Sequence, residues 1–365
     1  MTDRKEVTIM DKILSIIIPT YNMEKYLRKC LDSLIVSDEN MLRLEVLVIN
    51  DGSKDMSSVI GHEYESKYPQ TFRVIDKENG NYGSCVNRGL KEAKGKYIKL
   101  LDSDDSYVND TFDRFVTFLT SFDADLVIND YCIVDEDGKI METYSFKMPI
   151  GQVFTVSEMP NSVARWLWHH GMTYRTQILR NMNYFQTEGI SYTDDEWIFK
   201  PMVNVKNVRY FPENLYLYLI GREGQTFDPK VLKKSMGNMM IVIRSMIDFY
   251  GLNTKSLNDN YMYSKLRCRI ISLYGTHIVN YSEENNVEMI HLDNHLKDIL
   301  PCLWEDLETV KGRLKCRFIH CWRQSGYKRC KMQIFEHKLK LILNRIRGRR
   351  AGYRMPENLK RNSDL

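Results

Sequence analysis

The first hundred residues alternate short apolar runs with amphipathic segments. Ile13–Ile18 is continuous, β-branched and closed by Pro-Thr-Tyr-Asn, the pattern of a buried strand. Residues 23–36 then place Tyr26, Leu27, Cys30, Leu31 and Leu34 at helical spacing. Leu44–Ile49 predicts a second strand, stopped by the turn signal Asn50-Asp-Gly-Ser53. Next come a helix-like segment, a third strand near Phe72–Ile75 and a Gly/Asn-rich loop over 78–84. A short helix over Cys85–Ala93 and a strand over Lys96–Leu101 close the series. This rhythm predicts right-handed βαβ units on a mostly parallel sheet, with helices on its faces. Such sheets take ligands at the carboxyl ends of their strands. Asn22, Asp51 and Asp102/Asp104 stand at three of those ends, so they are expected to share one crevice.

Beyond residue 106 the pattern changes. A helix over 110–121 leads to a strand at Asp125–Asn129, and Asp135-Glu-Asp-Gly138 reads as a hairpin turn. Residues 155–182 have helical spacing, and Val208–Leu219 reads as extended chain. From about Pro229 helical periodicity dominates to Arg350. The expected fold class is α/β with an α-helical C-terminal extension.

Composition narrows the class. Hydrophobic residues make up 43% and charged residues 27%, an ordinary globular mixture. No segment approaches the roughly 20 apolar residues that span a bilayer, and the charged start MTDRKEVTIMDK does not read as a secretory leader. The eight cysteines are scattered without a Cys-x-x-Cys pair, which argues for reduced thiols, against a zinc site and for a cytoplasmic protein. The net charge of +4 hides an asymmetry: from Lys311 onward there are 17 Lys/Arg against 3 Asp/Glu, so the body is acidic and the end basic.

The densest candidate chemistry is 97-YIKLLDSDDSYV-108, with three carboxylates in four residues at a strand end. Two aspartates one residue apart can share a hard divalent cation, Mg²⁺ or Mn²⁺. The plainer alternative is a turn in which Asp104, Asp105 or Ser106 caps the next helix.

Four segments together carry a resemblance. They are Ser15-Ile-Ile-Ile-Pro-Thr-Tyr-Asn22, Val48-Ile-Asn-Asp-Gly-Ser-Lys-Asp55, Glu78-Asn-Gly-Asn-Tyr-Gly-Ser-Cys-Val-Asn-Arg-Gly-Leu90 and Gly95-Lys-Tyr-Ile-Lys-Leu-Leu-Asp-Ser-Asp-Asp105. In this order and spacing they resemble the family 2 glycosyltransferases of GT-A fold. Further along, 170-HGMTYRTQIL-179, 192-YTDDEW-197 and 221-GREGQT-226 resemble a bacterial branch that builds cell-surface polysaccharide. The resemblance covers residues 13–226. It implies a GT-A (Rossmann-like) mixed sheet and a metal-dependent, inverting transfer of a hexosyl or hexosaminyl group. The donor would be a nucleotide diphosphate sugar, UDP-linked, and the acceptor a saccharide or lipid-linked hydroxyl.

Carried over by position, Pro19, Thr20, Tyr21, Asn22 and Asp51 would hold the nucleotide base. Asp102, with Ser103 beside it, would face ribose and metal, and Asp104 would ligate the metal. Asn79, Gly80 and Gly83 would lie beside the nucleotide, the glycines permitting close backbone approach. Inversion needs one base on the far side of the sugar. Asp194 matches the family's acidic position, with Asp195 the alternative, and both stand where a helix cap is the plain role. Arg222, between glycines, reads as a diphosphate clamp or as a surface turn. His170 is a candidate third metal ligand, against a packed core imidazole. Val86 stands where the wider family has an arginine, which weakens any phosphate role for that loop.

The implied organisation is a lead over 1–12, a catalytic domain over 13–226, a helical extension over 227–335 and a basic amphipathic tail over 336–365. The catalytic domain divides at about 106 into a nucleotide half and an acceptor half. In the tail, Leu339, Ile342, Leu343 and Ile346 share a helical face among basic residues, which suits either an anionic membrane surface or packing on the acidic body. No recognition motif points to nucleic acid. Two other readings remain: a nucleotidyltransferase, though Pro-Thr-Tyr-Asn is no phosphate loop, and an inactive sugar-binding relative, though both acidic clusters are intact.

Overall fold

The computed structural model describes residues 11–160, 163–222, 225, 231, 234–254, 258–308 and 317–328; most of the lead and the whole basic tail over 336–365 lie outside them. Nine strands form one mixed sheet in the order β3-β2-β1-β4-β8-β6-β9-β5, with β7 also on β6. The parallel half holds β1 (Leu14–Thr20), β2 (Leu44–Asn50), β3 (Phe72–Asp76) and β4 (Tyr97–Leu100). β1 and β2 are buried along their whole length, as continuous apolar runs between two layers of helices must be. The crossovers carry α1 (Glu24–Asp32), α2 (Asp38–Arg43), α3 (Ser57–Lys67) and α4 (Asn81–Glu92).

After β5 (Ser106–Tyr107) and α5 (Asn109–Leu119), the long β6 (Leu126–Val134) organises the second half. β9 (Val208–Leu219) runs parallel along one edge of β6. Along its other edge β6 pairs antiparallel first with β8 (Met172–Arg175) and then with β7 (Ile140–Tyr144). β8 also pairs antiparallel with β4, so it joins the halves. The sheet therefore reverses direction beside β4, where an open α/β sheet leaves a crevice.

Several expectations need correction. Residues 155–182 are not one helix. They hold α6 (Val163–Trp166), 3₁₀ turns at Val156–Glu158 and His169–Gly171, β8, and α7 (Thr176–Asn181). The buried Met172-Thr-Tyr of β8 is read by its two neighbouring strands, and a vacant place in a sheet overrides helical spacing. The expected loop over 78–84 ends early, because α4 already begins at Asn81. The capping role for Asp104, Asp105 or Ser106 also fails: α5 starts at Asn109, with Val108 at its N-cap and no side-chain cap.

Past the short α8 (Asp194–Trp197) come α9 (Met236–Leu252), α10 (Asp259–Val279), α11 (Glu283–Ile299), α12 (Pro301–Glu308) and α13 (Arg317–Gln324). These helices and the sheet share one buried hydrophobic cluster, which runs from Leu14 to Trp322. Deeper polar pairs fix their register. Arg323 is buried against Asp293, 2.7 Å from Nη2 to Oδ1, and Trp322 donates from Nε1 to Asn286 at 3.1 Å.

Candidate active site

Three strand ends deliver the first residues. Pro19 and Thr20 are buried at the end of β1, and Tyr21 is exposed just beyond. Asn22 adopts a left-handed φ of 53°, which lets its Oδ1 accept from Lys54 N at 2.8 Å while its own N–H donates to Ser53. Asp51 follows β2 and is almost wholly enclosed. Its Oδ1 accepts from Lys77 Nζ at 2.5 Å and from Gly80 N at 2.9 Å, and its carbonyl accepts from Asn79 at 3.0 Å. The carboxylate thus fastens the Lys77–Gly80 loop to the β2 end. Gly83 lies one turn into α4, and its close approach is not to open space. A Cβ there would stand 2.0 Å from the Thr187 carbonyl oxygen, so the glycine admits the protein's own backbone.

The acidic cluster after β4 divides into three environments. Asp102 accepts from Tyr82 Oη at 2.9 Å on one oxygen, and His169 Nε2 lies 3.1 Å from the other. Burial raises its carboxyl, but His169 and Tyr82 outweigh that and leave it below the usual range. Ser103 is buried beside it. Asp104 meets Arg222, whose Nε donates to Oδ2 at 2.5 Å, and burial still raises this carboxyl. Asp105 points the other way, into the sheet, accepting Tyr216 Oη at 2.6 Å and Leu219 N at 2.7 Å. It ties the β4 end to β9, a structural task.

His169 and His170 form the opposite wall. Both are buried, with ring centroids 4.0 Å apart. His170 stacks on Tyr218 at 4.4 Å, and neither of its ring nitrogens has a hydrogen-bond partner. Burial holds it well below the usual histidine range, so the ring is neutral, with a lone pair on one nitrogen and the proton on the other. The residue that sequence reasoning missed here is Lys99, wholly buried in β4. Its ammonium donates to the carbonyls of His170 at 2.9 Å and Met172 at 3.2 Å and to Asn129 Oδ1 at 3.0 Å. That tripod fixes the backbone carrying the histidines. The only signal was a charged residue in an otherwise apolar strand, Tyr97-Ile-Lys-Leu100.

One ligand atom each from Asp102, His169 and His170 fall within 4.8 Å of one another. A carboxylate with two imidazoles, one of them carrying orphaned buried nitrogens, fits a divalent transition metal and suits Mn²⁺ better than all-oxygen-seeking Mg²⁺. Asp104 stands outside this group, on Arg222.

Asp194 and Asp195 open α8, and the structure separates them. Asp195 is 4% exposed in its side chain, and its Oδ2 accepts from Arg269 Nε at 2.8 Å and Nη2 at 2.5 Å. Asp194 is 32% exposed, and His169 Nδ1 lies 4.0 Å from its Oδ2. Burial in the cleft and the adjacent Asp195 push its pKa up to about 6, against the pull of His169 and Arg269. The arrangement joins a carboxylate poised near neutrality to a cluster with the ligand set to hold a cation, through one shared imidazole. Of the 221–226 segment, Glu223, Gly224 and Thr226 lie outside the described residues.

Comparison with known proteins bears on the family and the fold. The profile of glycosyl transferase family 2 matches residues 15–183. The uncharacterized glycosyltransferase MG025 of Mycoplasma genitalium is 30% identical over 246 residues, 66% of this chain and 78% of that protein. The poly(ribitol-phosphate) beta-N-acetylglucosaminyltransferase TarS of Staphylococcus aureus is 28% identical over 212 residues, 58% of this chain but 36% of TarS. Among solved structures, residues 1–349 of S. aureus TarS in complex with UDP-GlcNAc superpose with a TM-score of 0.66 at 18% identity, covering 93% of this chain and 92% of that one.

Proposed function

The chain belongs to glycosyltransferase family 2, and from that premise we propose that it moves a hexosyl or hexosaminyl group from a UDP-sugar to an acceptor hydroxyl, with inversion. The carrying observation is Asp194, a partly exposed carboxylate near neutrality, set 4.0 Å from an imidazole of the Asp102–His169–His170 cluster. The acceptor would be a growing cell-surface polysaccharide or a polyol-phosphate polymer, as poly(ribitol-phosphate) is in the name of TarS. In this reading residues 13–226 are the catalytic domain and the helices from 227 to 335 its extension.

Each side chain has a task. The β1 and β2 ends, with Thr20, Asn22 and the Asp51-fastened loop, cradle the nucleotide. Asp102, His169 and His170 would hold Mn²⁺, which when bound supplies positive charge to the departing diphosphate. Asp194 takes the proton from the acceptor hydroxyl as its oxygen bonds to the anomeric carbon. The bond from that carbon to the diphosphate oxygen breaks on the opposite face, and UDP leaves with the electron pair. Arg222, already beside Asp104, can swing its guanidinium onto the diphosphate.

The test is UDP release from UDP-GlcNAc and UDP-glucose with Mn²⁺, alongside UDP binding by calorimetry. Asp194→Asn should keep UDP affinity and lose turnover by at least about hundredfold, the scale of a general base. Wild-type turnover in that variant sinks the base assignment; no UDP binding by the wild-type chain sinks the donor assignment.

A further inference from the structure

The turn that carries Asp194 cannot hold itself. α8 has four residues, far below the length at which a helix is stable alone. Tyr192 precedes it at φ 67°, a left-handed conformation that a bulky side chain adopts only when its surroundings impose it. The surroundings include the C-terminal helices. Arg269 of α10 donates twice to Asp195 Oδ2, while Asp195 Oδ1 is buried without a hydrogen bond, so this pairing is the anchor of that carboxylate. Ser245 of α9 donates to Glu196 Oε1 at 2.7 Å.

The same helix face also grips the histidine wall. Lys265, one turn before Arg269, donates to the Leu167 carbonyl at 2.7 Å. The Arg269 guanidinium lies over the Trp168 ring at 5.2 Å, and the Lys265 ammonium at 4.8 Å. Leu167 and Trp168 lead directly into His169. One helix outside the family-matched segment thus touches both strips of chain that face each other across the Asp194–His169 gap.

We propose that Arg269 is a positioning residue for sugar transfer: acting through Asp195 and Trp168, it sets the distance and direction of Asp194 relative to His169 and the donor. This rests on Asp194 being the base. It also makes the helical region a component of the active site. Asp194 then depends on an ion pair that closes only when α10 is docked. A displacement of about 1 Å costs on the order of hundredfold in rate, so removal of Arg269 acts on turnover and spares donor binding.

The experiment uses the full chain with UDP-GlcNAc and Mn²⁺, in four variants: Arg269→Met, Arg269→Lys, Asp195→Asn and the double Asp195→Leu/Arg269→Met. Arg269→Met is expected to lose about hundredfold in kcat with the donor KM and UDP affinity within twofold. Arg269→Lys, keeping the charge but not the two-pronged geometry, should recover part of the loss. The double variant, which leaves no unpaired buried charge, guards against unfolding. It is expected to melt within a few degrees of the wild type and lose no more kcat than Arg269→Met alone. Wild-type kcat in the folded double variant overturns the proposal. So do losses in Asp195→Asn and Arg269→Met that multiply, because independent effects mean Arg269 does not act through Asp195. Asp194→Asn run in parallel separates the two readings: full turnover there removes the base assignment itself, whatever the Arg269 variants do.

Discussion

Asp194→Asn should stabilise the protein that it inactivates. In the folded chain the carboxyl titrates at about 6, raised from the ordinary 3.8 of an aspartate by burial and by Asp195. A group raised on folding adds stability that is complete below about pH 3.8 and is lost as pH climbs through 6, so at pH 7.5 its ionised form works against the fold. The difference corresponds to about 3 kcal/mol at most. With a third of the side chain in water, screening reduces this to on the order of 1–2 kcal/mol. Asparagine keeps the shape and discards the charge. For a chain of this length that gain raises Tm by about 1–3 °C at pH 7.5. At pH 4 the two proteins should melt together, since Asp194 is then protonated in the native state. Differential scanning calorimetry of metal-free protein at both pH values gives the answer. An unchanged or lowered Tm for the variant at pH 7.5 would refute the reasoning, and so would a gain that persists at pH 4.

The same titration sets the acid limb of turnover. kcat/KM should fall tenfold per pH unit below about 6, and a limb near pH 4 in its pH profile would mean that another group limits the reaction. Lys99→Met should cost several kcal/mol, because it strips donors from the His170 and Met172 carbonyls and from Asn129 inside the core. Urea denaturation reads this directly, and a change below 1 kcal/mol contradicts the tripod. Deleting residues 336–365 should abolish sedimentation with vesicles containing anionic lipid, each basic residue near the surface being worth about 1 kcal/mol. Sedimentation that survives the deletion places the membrane contact elsewhere, and none by the full chain points instead to packing on the acidic body.

Most of the parallel half was legible because its signals are local. Ile16-Ile-Ile18 and Val46-Leu-Val-Ile49 are runs that only a doubly covered strand accommodates, and the aspartates follow where such strands end. The second half hid its strands. Met172-Thr-Tyr-Arg175 has no period of its own and becomes β8 only because β4 and β6 leave a slot between them. The site was readable as a set of acids but not as a set of partnerships. Asp102 and His169 are separated by 67 residues and Asp195 and Arg269 by 74, so no spacing rule links them. Arg269 also carried no local mark, being one basic residue among many on a helix. Asp105 shows the reverse case: it looked like part of the cluster, yet its partners Tyr216 and Leu219 belong to a strand more than a hundred positions away.

Gly83 has a consequence for anyone who wishes to change the donor. Position 83 falls in the stretch that the sequence alone would put on the wall of a nucleotide crevice, where a designer would place varied side chains to select another base or sugar. Yet even a methyl group there would meet the Thr187 carbonyl oxygen at 2.0 Å, and backbone cannot rotate aside as a side chain can. Any larger residue must push α4 away from the 186–189 strand of chain, taking with it Asn87, which donates to the Gln186 carbonyl at 2.8 Å and accepts from its N–H at 2.9 Å. A library that randomises this wall would therefore discard most of its members at a single position, and residue 83 is best left unaltered while its neighbours vary.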